Sequence, residues 1–340
     1  MIFITGGAGF IGSHTAVEFL TEGYSVLILD NLSNSSKLAI ERIKTITNKT
    51  PLFIEGDIND PVLLDRIFTK YPIDAVIHFA GLKAVGESVD KPLEYYQNNV
   101  SGTLTLLTAM QAAQVKTIVF SSSATVYGKP KQVEFFEDLP TGEPESPYGQ
   151  SKLMIEKILQ DLCHSDNQWS VGILRYFNPI GAHISGLIGE NPKDIPNNLV
   201  PYVSQVAVGK LKKIFVYGGD YPTHDGTGIR DYIHVMDLAE GHCKAYHYIC
   251  QNHGAFIWNL GTGKGHSVLE IIAMFSKVSG IDLPYEIVAR RAGDIAEYWA
   301  NATKAKTELN WQAKRGLKEM ITDSWRWQHQ NPDGFDNSAT

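Results

Sequence analysis

Tyr148 and Lys152, four residues apart in Ser146-Pro147-Tyr148-Gly149-Gln150-Ser151-Lys152, could together remove a proton from a hydroxyl group. The segment opens what reads as a helix, and on a helix residues i and i+4 share one face about a turn apart. A phenol with a pKa of about 10 is a poor base at neutral pH, but a cation beside it favours the phenolate. Such pairs also occur on solvated helix faces, so this one takes its meaning from what lies around it. The stretch Ser121-Ser122-Ser123-Ala124-Thr125-Val126-Tyr127-Gly128 ends an apolar run and sets hydroxyls at a strand end. Ser123 could hydrogen-bond the substrate hydroxyl whose proton Tyr148 takes.

The elements that must position these groups follow from the pattern. Met1 to Thr5, Ser25 to Asp30, Pro51 to Glu55, Ala75 to Phe79 and Thr117 to Ser121 read as strands. Gly12 to Glu22, Ser36 to Thr47, Pro61 to Lys70 and Pro92 to Ala113 read as helices between them. This alternation predicts an α/β fold of Rossmann type: a doubly wound parallel sheet with helical crossovers. Past Val171 to Tyr176, a further strand, the texture changes to Gly, Pro and Asn, which suits loops that build a binding surface. Helices return at His234 to Tyr248, Val268 to Val278 and Leu317 to Gln328. The division expected is a nucleotide-binding domain over 1–177 and a smaller mixed α/β lobe over 178–340. Its boundary is soft, since Ala255 to Asn259 could return to the main sheet.

Composition narrows the class. A chain of 340 residues with a net charge of −7 does not suit a polyanionic partner, and no basic run suggests nucleic-acid binding. The opening strand pattern lacks a signal-peptide layout, and no apolar run reaches membrane-spanning length, so a cytoplasmic protein is expected. Cys163, Cys243 and Cys250 are odd in number and widely spaced, suggesting neither disulfides nor zinc. His242 and His247 sit at i+5, off a common helical face, and no metal site is expected.

Gly6-Gly7-Ala8-Gly9-Phe10-Ile11-Gly12 lies between the first strand and the first helix, where a phosphate-binding turn must sit. Glycines there let the backbone turn tightly and approach a pyrophosphate resting on the helix N-terminus. Asp30 ends the second strand, where an acidic side chain about 20 residues on accepts from an adenosine ribose and repels a 2′-phosphate. NAD is therefore favoured over NADP. Asn31, Leu32, Ser33, Asn34 and Ser35 follow in the same candidate cofactor group. Asp57 could accept from the adenine amine with Ile58 against the ring. Phe79-Ala80-Gly81-Leu82-Lys83 leaves the fourth strand at its carboxyl end, small enough for the cofactor backbone to pass.

With Ser123, Tyr148 and Lys152 added, the chain resembles the extended short-chain dehydrogenase/reductases, and within them the UDP-glucose 4-epimerases. The likeness runs through His78-Phe79-Ala80-Gly81-Leu82-Lys83-Ala84-Val85-Gly86-Glu87-Ser88, Leu174-Arg175-Tyr176-Phe177-Asn178-Pro179 and Asp225-Gly226-Thr227-Gly228-Ile229-Arg230-Asp231-Tyr232-Ile233-His234. It implies that Ser123, Tyr148 and Lys152 are catalytic, and that Lys83, Asn98 and Phe177 help bind NAD. It also implies a UDP-sugar site of Asn178, Asn198, Leu199, Val216, Tyr217, Arg230, Tyr232, Arg291, Asp294 and Tyr298, with Lys83, Ser123 and Tyr148 shared. Two arginines suit a diphosphate, because guanidinium offers forked, permanently charged donors.

The reaction so implied is the interconversion of UDP-glucose and UDP-galactose, a step of galactose metabolism. Hydride leaves carbon 4 for a tightly bound NAD, the 4-keto sugar rotates, and hydride returns to its other face. A 4,6-dehydratase shares the first step but needs an acid and a base after the Ser. The chain has Ala124 and Thr125 there, and neither shuttles a proton at neutral pH. A non-catalytic NAD-binding regulator on the same fold would not need the intact Ser123, Tyr148 and Lys152. In the family this position can be small where UDP-N-acetylhexosamines are accepted and large where they are excluded, so the resemblance implies that Tyr298 gives a preference for UDP-glucose and UDP-galactose, an acetamido group colliding with its ring. The resemblance also implies a homodimer, with the helices from Pro92 and Ser146 as contact faces.

Overall fold

The computed structural model describes residues 1–291 and 294–336; the last four residues of the expected lobe lie outside them. Seven strands form one parallel sheet; the five inner ones are almost unbroken runs of buried residues, while the edge strands Leu52–Glu55 and Gly254–Leu260 are partly exposed. Such runs are what a sheet covered on both faces requires. Across the sheet the strands lie in the order Gly254–Leu260, Ser170–Tyr176, Thr117–Ser123, Ala75–His78, Ile2–Thr5, Val26–Asp30 and Leu52–Glu55. The order reverses between Ile2–Thr5 and Ala75–His78, so the crevice for a ligand opens at the carboxyl ends of those two strands. The parallel α/β sheet is the one expected, and the segment around Ala255 to Asn259 does return to it, beyond Ser170–Tyr176.

Alternate residues of each strand serve opposite faces. Ile2, Ile4 and Ile28 pack with the helices Phe10–Thr21 and Val235–Ile249. Phe3, Leu27 and Leu29 pack with Leu64, Leu106, Met110, Ile155 and Leu159. A separate core of Val200, Val203, Ile214, Val216, Ile271, Phe275 and Met320 holds the C-terminal lobe together. Its strands Gly265–Ser267, Ile229–His234 and Glu297–Ala300 form a small mixed sheet that Glu134–Phe135, from the first half of the chain, completes.

One expected helix differs. The run from Pro92 continues to Ala112, but Tyr96–Ser101 forms a π-turn inside it. Such wide turns insert one residue and redirect neighbouring side chains, commonly at functional sites. Here the turn carries Asn98 and Asn99, and Asn99 is buried beneath the loop Phe79–Lys83.

Of the four wholly buried histidines among the described residues, three are held neutral by burial. Burial pushes His14 and His78 down to about 3 and His242 down to about 4. The unfolded chain takes up these protons near pH 6.5, so between about 6.5 and the folded values only the unfolded state binds them. Stability present above pH 6.5 is lost as the pH falls. Glu18, pushed up to about 7 by burial, and Glu137 and Asp231, also raised by burial, work in the opposite direction, against five histidines in all, since burial pushes His183 and His266 down as well. The urea midpoint is therefore expected to fall steadily from about pH 7 to about pH 4.5. A midpoint that stays level or rises over that range would refute the assignment.

Candidate active site

The glycine turn is fixed by close approach. Gly6 has φ +68°, and a Cβ there would lie 2.7 Å from the Ala80 nitrogen. At Gly12 a Cβ would lie 2.4 Å from the Gly6 carbonyl oxygen. Gly9 caps the helix Phe10–Thr21 without a side-chain bond, leaving the first-turn N–H groups facing the crevice as anion donors. The Asp30 carboxylate is nearly buried and accepts from Ala8 N at 3.0 Å, Leu32 N at 2.9 Å and Ser35 Oγ at 2.7 Å. It thus ties the turn to Asn31–Ser35 and retains acceptor capacity, since two carboxylate oxygens offer about four sites. Ser33 N donates to Asn31 Oδ1, while Asn34 Oδ1 accepts from Lys193 N.

Asp57 accepts from Asn31 Nδ2 at 2.7 Å and from Asn59, and these bonds hold its carboxyl below the usual range although burial opposes them. Ile58 beside it is buried in the core, against Gly102. Phe79 and Ala80 donate their N–H groups to Thr5 O, which holds the loop against the first strand. Asn99 clamps the same loop: Leu82 N donates to its Oδ1 at 2.8 Å and its Nδ2 donates to Leu82 O at 3.0 Å. The Nδ2 also reaches Ser151 Oγ at 3.1 Å, and Asn98 Nδ2 donates to Asn99 Oδ1 at 3.0 Å. An unpaired glutamate in a Gly/Pro-rich loop carries no sequence signal, yet Glu190 accepts from both Lys83 at 2.9 Å and Asn198 at 3.0 Å. These turns, donors and acceptors fit a dinucleotide.

The hydroxyl-handling group lies at the same edge. Ser146 caps the helix Pro147–Ser165 by accepting from Gly149 N at 3.2 Å, and Pro147 takes the first position, where its missing N–H is harmless. At Gly149 a Cβ would come within 3.2 Å of Thr125 Oγ1, so glycine lets the helix start close to the Ser123 turn. Lys152 Nζ is buried, donates to Ser121 O at 2.7 Å and lies 5.8 Å from the centre of the Tyr148 ring. Ser123 Oγ accepts from Thr125 N at 3.2 Å and Thr125 Oγ1 at 3.0 Å.

Electrostatics corrects one expectation. Burial pushes the Tyr148 phenol up, opposed by the Ser123 hydroxyl, and burial pushes Lys152 down to about 8, opposed by Glu156. The ammonium therefore does not by itself draw the phenol into the working range, because the burial of the pair outweighs it.

The remaining candidates gather on the lobe side. Phe177 packs with Phe135 and Tyr298, at ring separations of 6.1 and 5.9 Å. Tyr298 stacks on Phe135 at 5.3 Å, and the Arg230 guanidinium lies 4.8 Å from the Tyr298 ring. Arg230 and Asp294 are 3.6 Å apart. Burial pushes the Tyr232 hydroxyl up, with Arg230 and Tyr298 near enough to perturb it. The Arg291 guanidinium covers the half-exposed Tyr217 ring at 4.0 Å. Val216 alternates with Tyr217 and faces the lobe core, so only its backbone is open to a ligand. Asn198 is exposed just before the helix Leu199–Ala207. Asn178 Oδ1 is buried without a hydrogen-bond partner, which suits a site completed by a bound molecule.

The sheet, the glycine turn and the Ser123, Tyr148 and Lys152 group define an extended short-chain dehydrogenase/reductase. Residues 3–324 match a family model described as GDP-mannose 4,6 dehydratase. The UDP-glucose 4-epimerase of Bacillus subtilis (strain 168) is 60% identical over 334 residues, 98% of each chain. That of Yersinia pestis is 57% identical over 334 residues, 98% of this chain and 99% of its own. The crystal structure of UDP-glucose 4-epimerase from Bifidobacterium longum in complex with NAD+ and UDP superposes with a TM-score of 0.95 at 54% identity, covering 98% of this chain and 99% of its own. The chain belongs to the UDP-glucose 4-epimerase family. The dehydratase description of the broader model does not extend to elimination here, since Ala124 is buried and Thr125 spends its hydroxyl on Ser123.

Proposed function

We propose that the chain interconverts UDP-glucose and UDP-galactose at carbon 4 with a tightly held NAD, using Ser123, Tyr148 and Lys152 on the reacting hydroxyl. The observation that carries this is that those three side chains and the Gly6–Gly12 turn lie at the carboxyl ends of strands of one parallel sheet. When bound, NAD supplies a reversible hydride acceptor and, oxidised, a positive charge beside the phenol. Proton handling and positioning fall to the chain. Tyr148 takes the proton of the 4-hydroxyl and gives it back after the 4-keto sugar has turned over, while Ser123 holds the oxygen and Lys152 stabilises the phenolate. The sugar must be held loosely and its UDP firmly, so binding energy belongs with Arg230, Arg291, Asn178, Asn198 and the Tyr217 face. Residues 1–177 then carry most of the NAD contacts and 178–340 most of the UDP-sugar contacts.

We further place the enzyme in the cytoplasm, which suits its three free cysteines. Among the described residues no helix is long and apolar enough to cross a membrane. A homodimer suits the exposed Val89, Leu93, Leu104 and Met154, which lie on or beside the helical runs from Pro92 and Pro147. Purified protein, given UDP-galactose and no added NAD, is expected to form UDP-glucose without net NADH. An absolute need for added NAD, or NADH accumulating with product, would overturn the reading.

A further inference from the structure

On the helix Pro147–Ser165, Lys152 has a neighbour one turn away in each direction: Tyr148 on one side and Glu156 on the other. Lys152 and Glu156 are both buried, where attraction between opposite charges is little weakened by water. Left to itself, Glu156 would draw the ammonium away from the phenol. It does not do so. Among the described residues Lys152 forms no ion pair; it donates to Ser121 O and lies 4.9 Å from the Phe120 ring centre.

Glu156 is otherwise engaged. Arg175, on the strand Ser170–Tyr176, grips it with two parallel bonds, Nε to Oε1 at 3.0 Å and Nη2 to Oε2 at 2.7 Å. Ser122, which is in register with Arg175 on the next strand, also donates to Oε1. Arg175 is fixed in turn by Glu137 O at 3.3 Å and by the Tyr127 ring beneath its guanidinium at 4.7 Å. Two further titratable groups lie around the pair: His78, neutral and bonded to Thr5 and Thr103, and Tyr176, a buried phenol near Ser121 and Tyr148 pushed up by burial; both are uncharged, so neither offers the ammonium an anion. We propose that Arg175 is a positioning residue for proton transfer: its forked grip on Glu156 keeps that carboxylate from competing for Lys152 and leaves the ammonium directed at Tyr148. The inference rests on the assignment of Tyr148 and Lys152 given under Proposed function.

The test compares Arg175→Met, Arg175→Lys, Glu156→Gln and the double variant Glu156→Gln/Arg175→Met, each as holoenzyme with NAD bound. In Arg175→Met the freed carboxylate takes Lys152, so kcat falls about 100-fold with KM changed by less than about threefold. Its acid limb also moves to higher pH, because a phenol deprived of its cation ionises later. Arg175→Lys keeps a cation against Glu156 and retains most of the rate. In the double variant no carboxylate competes for Lys152, so kcat returns to within about fivefold of the unmodified enzyme and the acid limb returns with it. A pair that merely braces the fold predicts the opposite: the double variant stays as slow as Arg175→Met and no limb moves, which overturns the proposal.

If Arg175→Met does not fold, Arg175→Gln takes its place in the same comparison. A lowered kcat and raised acid limb that adding Glu156→Gln restores support the proposal, and a rate and limb that stay put, or that Glu156→Gln does not restore, overturn it. Failure of the Tyr148 assignment itself would show separately, as retained turnover in Tyr148→Phe.

Discussion

Tyr148→Phe is expected to lower kcat by about 10²–10⁴-fold, the usual worth of a positioned acid–base group, with UDP affinity nearly unchanged. The substitution removes one oxygen and keeps the ring. Lys152 stays bonded to Ser121 O, and Ser123, though it loses the phenol as a partner, keeps its bonds from Thr125, so both neighbours stay in place. The residues assigned to UDP, Arg230 and Arg291 among them, lie on the lobe side and touch Tyr298 and Tyr217 rather than Tyr148. The loss therefore belongs in kcat, because the phenol's task arises only when the 4-hydroxyl gives up its proton. Steady-state rates with calorimetric titration of UDP check this. Turnover within about tenfold of the unmodified enzyme would remove Tyr148 from its role, since a general base cannot be lost so lightly. A normal rate loss accompanied by loss of UDP binding would instead make it a packing residue.

Much of this site could be read before any fold was known, and the reason is local. Gly6 and Gly12 stand where a side chain would strike backbone atoms, so the turn leaves its mark in the sequence itself. Buried parallel strands announce themselves as apolar runs, and Ser146 with Pro147 starts the catalytic helix in a way that fixes where Tyr148 and Lys152 lie. What escaped was non-local or cooperative. A π-turn changes helix pitch by one residue, too little to disturb the apolar periodicity of Pro92–Ala112, so the burial of Asn99 had no precursor in the pattern. Glu190 joins Lys83 to Asn198 across the two halves of the chain, and no spacing rule foretells such a contact. The phenol's upward shift escaped for a related reason: charge proximity is legible at i, i+4, but desolvation depends on everything packed around the pair.

Replacing Tyr298 by Cys is expected to open the sugar pocket to UDP-N-acetylhexosamines, raising kcat/KM for them by about 10–10²-fold. The argument runs through the stack that holds the ring in place. Tyr298 lies parallel to Phe135 within 11° at 5.3 Å, meets Phe177 at 5.9 Å and carries the Arg230 guanidinium at 4.8 Å on its ring. Its strand, Glu297–Ala300, is pinned between Ile229–His234 and Glu134–Phe135, so the backbone cannot swing the ring aside for a bulkier sugar. A wall so built is expected to reject an acetamido group by volume, because displacing a packed aromatic requires several neighbours to move together. A cysteine leaves that volume free. The same change removes a surface from Arg230, so UDP-galactose turnover should fall by a few-fold, and the two effects together shift preference more than either alone. Assays on both sugar classes, with a melting curve for each protein, decide between this and a purely structural ring. If Tyr298 only fills the core, the variant melts lower and its preference stays where it was. Efficient use of UDP-N-acetylglucosamine by the unmodified chain would also refute the proposal, because it would mean the stacked wall yields without help.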